Sequence, residues 1–155
     1  MKNINGYNCK LNIGEDAEIN FRLKKDGFLF LYTPKAIVYH RRSKNIKKFS
    51  KKMYSYGYAT AKISKIHKTV IRWYSWIPLI FLLFNFGSFV TIIFEHNFIF
   101  IYTIVIAFYL FLVLMTSFKV IFAERNLNSL LTPILLIIQH VSYGIGSFNG
   151  LVSKY

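Results

Sequence analysis

Two carboxylates stand side by side at Glu15 and Asp16, in the stretch GEDAEINFRL, although the chain as a whole carries a formal net charge of +14. An acidic pair at such a place suits two jobs. Acids in the first turn of a helix offset its dipole, and Asp is a favoured N-cap. An aspartate held at a helix start can also act as a general base, taking the proton of an attacking hydroxyl. Both jobs need a helix that begins here, and the following residues supply one: Ile19 and Leu23 are four apart, and Gly27 is a suitable stop.

The elements around the pair follow from pattern. FLFLY and AIVYH are short apolar runs of β-favouring residues separated by TPK, where Pro34 marks a turn, so helix, strand, turn and strand are expected in order. These are too few strands for a complete sheet with its own core. Next, Ile46, Phe49, Met53, Tyr56, Ile63, Ile66 and Val70 recur at spacings that largely follow a helical stripe, with Lys44, Lys47, Lys48, Lys51, Lys52, Lys62, Lys65 and Lys68 on other faces. That is the profile of a helix lying on an anionic membrane surface, with Gly57 as a point where it can bend.

From Ile71 onward three apolar stretches are each long enough to cross a bilayer, which takes about 20 residues at about 1.5 Å each for a core of about 30 Å. Spans are expected at about 73–94, 98–118 and 129–152. The third carries Gln139, His140, Ser142, Tyr143 and three glycines, so it is expected to pack on other helices, line a polar interior, enter the bilayer in part, or cross as an ordinary span softened by small residues.

Charge is divided as sharply as hydropathy. Of the 20 Lys and Arg, 17 precede Trp73, which makes the chain a basic polar segment joined to an apolar one. The cation-rich first segment and the Lys119 and Arg125 loop place the N-terminus in the cytoplasm, with EHN outside, and a multi-pass protein of the cell membrane results. Cys9 is the sole cysteine, which excludes an intrachain disulfide and a cysteine-based zinc site. Lysine greatly outnumbers arginine and the aromatics lie mostly in apolar runs, so nucleic acid is ranked last among partners of a basic chain.

The series GEDAEINFRLKKDGFLFLYTPKAIVYHRR, with Glu15, Asp16, Glu18, Arg22, Gly27, Tyr32, Pro34, Ala36, Val38 and His40 in order, resembles the C-terminal part of membrane-anchored family 2 glycosyltransferases. FSKKMYSYGYATA and HVSYGIGSFNGL resemble the basic helix and a terminal span of the polysaccharide-building branch. The resemblance implies an α/β remnant of a type A glycosyltransferase domain over residues 1–42, an interfacial amphipathic helix over 43–70, and an all-α membrane domain of three helices over 71–155. It implies inverting transfer from a nucleotide sugar to a glycan or lipid-linked acceptor, in cell-surface polysaccharide or glycolipid synthesis. Asp16 would be the base and Glu15 would contact the acceptor or shape the site. Arg22, His40, Arg41 and Arg42 would bind substrate, His40 having a metal or the diphosphate within reach, or serving only as a strand-end hydrogen bonder.

The sequence departs from that family in two places. No Asp-x-Asp occurs, so the main motif for the expected divalent cation, Mg or Mn, is absent, as is the sheet that binds the nucleotide. The Gln-x-x-Arg-Trp motif of processive synthases is absent too. The chain alone is therefore expected to be inactive: the fragment of a split or truncated gene, a subunit completed by a separate chain that supplies the donor-binding half, or a decayed copy. The rival expectation is a small non-enzymatic membrane protein whose basic helix binds anionic lipid or docks a partner subunit; only Gly14 to His40 separates the two.

Overall fold

The computed structural model describes residues 6–9, 11, 13–39, 45–67 and 71–154. Its helices are α1 (Glu15–Lys25), α2 (Ile46–Ile66), α3 (Ile77–Phe94), α4 (Phe98–Glu124) and α5 (Thr132–Val152), with short 3₁₀ turns at Trp73–Trp76 and Leu127–Leu131. Among the described residues there is no strand.

Helix α1 forms where its pattern places it. It ends in a paired hydrogen-bond closure, with the Phe28 amide donating to the Leu23 carbonyl at 3.0 Å and the Gly27 amide to the Lys24 carbonyl at 3.2 Å. This closure needs a left-handed residue, and Gly27 supplies it with φ 86°. Residues 28–32 and 36–39, in the runs expected as strands, carry no ladder, and they flank a turn at Pro34 and Lys35. Leu29 and Leu31 are 98% and 93% exposed. A strand is stabilised by cross-strand neighbours, and the described residues provide none, so β-favouring side chains alone do not make a sheet here.

Three segments, Trp73–Phe94, Phe98–Glu124 and Leu127–Val152, are long and apolar enough to cross a membrane. Both α3 and α5 start with a proline in the first turn, where a missing N–H costs nothing. Helix α4 continues past Phe118 through Lys119 to Glu124, so the second span is longer than its apolar run. Large side chains such as Phe86, Phe94 and Phe122 face outward, as expected of helices solvated by lipid. Helices α3 and α4 are antiparallel: Tyr102 donates to Asn85 Oδ1 at 3.2 Å, and Phe81 stacks on Tyr109 at 4.3 Å between ring centroids.

The most extensive packing joins α2 to α5. Ser50 pairs with Ser142 at 2.8 Å, and Lys62 Nζ donates to the Lys154 carbonyl at 2.8 Å. Between them Gly146 meets Tyr54 and Gly150 meets Tyr58, so the residue numbers rise together and the two helices run parallel. Close approach is allowed by Gly57-x-x-x-Ala61 on one helix and Gly146-x-x-x-Gly150 on the other, the small-residue spacing that lets helix backbones touch. A methyl group at Gly57 would overlap the Tyr143 carbonyl, and one at Gly146 would overlap the Tyr54 carbonyl. Gly57 therefore serves contact, and α2 is continuous through it.

This seam also assigns some of the lysines. Lys65 donates to the carbonyls of Leu151 and Ser153, and with Lys62 it caps the end of α5. Parallel helices put like dipole ends together, and cations on the terminal carbonyls offset that repulsion. Lys47, Lys48, Lys51 and Lys52 remain exposed.

Candidate functional site

The acidic pair sits in the first turn of α1. Gly14 is the N-cap residue, with φ 84° and no side-chain cap. Its left-handed backbone brings it onto α2, where an added Cβ would lie 2.7 Å from Ile63 Cδ1 and 3.2 Å from Ala59 Cβ. Two demands therefore fall on one glycine, an unusual φ and lack of a side chain. Asp16 is exposed, in the second position of the helix, with its carboxylate at the positive end of the helix dipole. Glu15 is half-buried, and its Oε2 is buried without a hydrogen-bond partner among the described residues.

One turn further on, Glu18 is 1% exposed. Arg22 holds it with two bonds, Nε to Oε1 at 2.8 Å and Nη2 to Oε2 at 2.9 Å, and also donates to the Gly6 carbonyl at 2.6 Å. His67, just beyond α2, contributes Nε2 at 2.9 Å from Glu18 Oε1, with its ring against Phe21 at 4.9 Å. Burial pushes the Glu18 carboxyl up, but the hydrogen bonds and charges of Arg22 and His67 outweigh it and hold the carboxyl below the usual range. The Glu18–Arg22 half of this cluster is legible as an i, i+4 pair. His67 is 49 residues away, and no local spacing announces it.

The structure thus brings Glu15, Asp16 and Arg22 onto one helix, with Arg22 committed to Glu18 rather than presented to solvent as a substrate ligand. His40, Arg41 and Arg42 lie outside the described residues. The cation expected from the family resemblance can be tested against the side chains present: no three His, Cys, Asp or Glu among the described residues come together to hold a metal. The described residues do not form a metal centre. What the site offers is an accessible carboxylate fixed at a helix N-terminus. The helix is locked onto α2 through Gly14 and the Glu18 cluster, and α2 is locked onto α5.

The profile described as Glycosyl transferase family group 2 matches residues 4–119. A curated relative from Methanococcus voltae is 33% identical over 141 residues, 90% of this chain and 39% of the relative. It is named dolichyl N-acetyl-alpha-D-glucosaminyl phosphate 3-beta-D-2,3-diacetamido-2,3-dideoxy-beta-D-glucuronosyltransferase. The chain spans about two fifths of that relative's length. No solved structure matches the chain.

Proposed function

The chain belongs to glycosyl transferase family group 2, and on that premise we propose that it forms the acceptor-side and membrane part of an inverting sugar transferase of the cell membrane. Asp16 takes the proton of an acceptor hydroxyl, the oxygen attacks the anomeric carbon of a nucleotide sugar, and the nucleotide diphosphate leaves from the opposite face. The observation that carries this reading is the exposed Asp16 at the start of an anchored helix, inside the segment that the family profile covers. Glu15 shapes the acceptor side of the site. Arg41 and Arg42, with His40, neutralise the departing diphosphate, and the divalent cation and donor-binding sheet come with residues beyond those described.

The relative's name describes an N-acetylglucosaminyl group carried on dolichyl phosphate. We extend the class to this chain: its acceptor is a lipid-linked glycan, used in building a cell-surface polysaccharide or glycolipid. In this reading the N-terminus is cytoplasmic.

The test joins the chain to the coding sequence upstream of Met1 and supplies the resulting membranes with labelled nucleotide sugars. Transfer to extractable lipid is expected, and Asp16→Asn should lower it by about 10²–10⁴-fold, the contribution of a positioned general base. Unchanged transfer by Asp16→Asn would remove Asp16 from the chemistry. If no reading frame upstream encodes a donor-binding half and the chain turns over no donor, the non-enzymatic reading, a lipid-binding or partner-docking membrane protein, takes its place.

A further inference from the structure

Glu18 is buried on the inner face of α1 with both carboxylate oxygens in use. Two of these bonds come from Arg22, a residue of α1 itself, and so refer the carboxylate to nothing outside the helix. The third comes from His67, at the end of α2. The Glu18 carboxyl is held below its usual range, so near neutral pH it is ionised and has no proton to give. The hydrogen of this bond is therefore carried by His67 Nε2, at 2.9 Å from Glu18 Oε1.

The bond has a companion one turn away. Gly14 rests on Ile63 and Glu18 bonds His67, so a step of four residues along α1 answers a step of four along α2. The helices run parallel at this joint, and its two points stand about 6 Å apart along them. One point alone would leave α1 free to pivot; two fix its tilt, and the side-chain bond at the second fixes its roll. The imidazole is itself held, because the His67 amide donates to the Ile63 carbonyl at 2.8 Å and the Phe21 ring lies 4.9 Å from the imidazole between centroids. Roll matters because Asp16 and Glu18 are two residues apart, about 200° around the helix, so the carboxylate that faces out is aimed by the one that faces in. At a side-chain radius of about 5–6 Å, a roll of about 10° carries Asp16 about 1 Å. A displacement of that size can cost about 10²-fold in rate.

We infer that His67 is a positioning residue: its Nε2–H bond to Glu18 sets the roll of α1, and so the direction in which Asp16 is presented, from the end of α2 that leads into the segment Trp73–Phe94. Its effect on transfer rests on the reading of Asp16 as the base. The setting of α1 is measurable without any transfer, so the two can fail separately.

The experiment places the full chain in nanodiscs with Cys9→Ser and with nitroxides on Asn20→Cys of α1 and Lys51→Cys of α2, both exposed sites, and reads the distance between them by pulsed electron paramagnetic resonance. Three variants divide the contact. His67→Gln keeps an N–H donor where Nε2 stands, His67→Phe keeps a ring against Phe21 but no donor, and His67→Ala keeps neither. The parent and His67→Gln should give one narrow distance, and His67→Phe and His67→Ala a broad distribution. In the protein joined to its upstream coding sequence, His67→Phe and His67→Ala should lower kcat by about 10–10²-fold with KM for the nucleotide sugar unchanged, while His67→Gln retains most of the activity. Because His67→Ala can loosen the fold as a whole, the other two variants decide. A narrow distance in His67→Phe would overturn the proposal, since the ring alone would then suffice. So would a distribution for His67→Gln as broad as for His67→Ala, since the hydrogen bond would then not be what holds α1. If Asp16→Asn leaves transfer unchanged, the base reading falls and the distances still decide whether His67 sets α1. If Asp16→Asn abolishes transfer and His67→Phe leaves kcat as it was, Asp16 stands and the role of His67 falls.

Discussion

Gly57→Ala tests the seam on which the whole arrangement hangs. The added methyl group would meet the Tyr143 carbonyl, and would stand 2.9 Å from the Ser147 amide nitrogen, both backbone atoms of α5. Backbone cannot step aside as a side chain can, so the two helices must part. Overpacking of this kind costs about 1–3 kcal/mol. Parting also stretches the bonds along the seam, the Ser50–Ser142 and Thr60–Tyr143 pairs at 2.8 Å and the Ser147 hydroxyl to the Gly57 carbonyl at 3.3 Å. Interhelical bonds in membranes average about 0.6 kcal/mol each. Against these stands the better helix propensity of Ala, about 0.8–1 kcal/mol. The net expectation is a loss of about 2–4 kcal/mol, with the overpacking and bond terms outweighing propensity. Gly87→Ala is the internal control, since it also lies within a helix but has nothing within 4 Å of the added atom. There only the propensity gain remains, so stability should hold or rise by up to about 1 kcal/mol. Reversible unfolding in mixed micelles, followed by circular dichroism, compares the two directly. Equal effects of Gly57→Ala and Gly87→Ala would refute the claim that α2 and α5 touch backbone to backbone.

Other predictions concern α1. Glu18 has its carboxyl held below its ordinary value of 4.5, so the stability it contributes is complete above that pH and is lost as pH falls through the lower folded value. A fluorophore on exposed Cys9, the sole cysteine, should report release of α1 on acidification, and Glu18→Gln should abolish that acid transition; an identical transition in Glu18→Gln would show that another group carries it. Gly14 and Gly27 share the same backbone strain, φ 84° and 86°, but only Gly14 presses on α2. Gly27→Ala should cost about 1–2 kcal/mol and Gly14→Ala distinctly more, since it adds the collision with Ile63. Thermal unfolding gives both, and equal losses would mean that the α1–α2 contact bears no load.

Legibility in the sequence tracks how local the cause is. The three apolar segments, the start and stop of α1 and the turn at Pro34 each depend on residues within a few positions, and each stands where the pattern places it. The runs 28–32 and 36–40 have strand composition, but a strand depends on a neighbour, and within the described residues that neighbour is lacking. The glycines of α5 and Gly57 of α2 are visible in the sequence, yet only as softness or as a place to bend. Matching them requires knowing that segments 92 residues apart run side by side. His67 is the same kind of case, an ordinary polar residue at a helix end until Glu18 is brought to it.

The chemistry proposed for Asp16 needs a carboxylate whose place relative to the membrane is fixed, because an acceptor held by its lipid cannot follow a wandering base. Among the described residues this need is met by successive contacts between helices. Gly14 and the Glu18 cluster fix α1 on α2, the small-residue seam fixes α2 on α5, and Gly144 lets α5 approach Pro78 and Leu82 of α3. Each joint depends on a missing side chain or a buried charge pair, features that cannot slide without cost. The lysines fit the same logic. Those at the end of α2 cap the carbonyls of α5, while Lys47, Lys48, Lys51 and Lys52 at its start are exposed. Loosening any joint should therefore reduce transfer without touching Asp16, and should do so more the nearer the joint lies to Gly14.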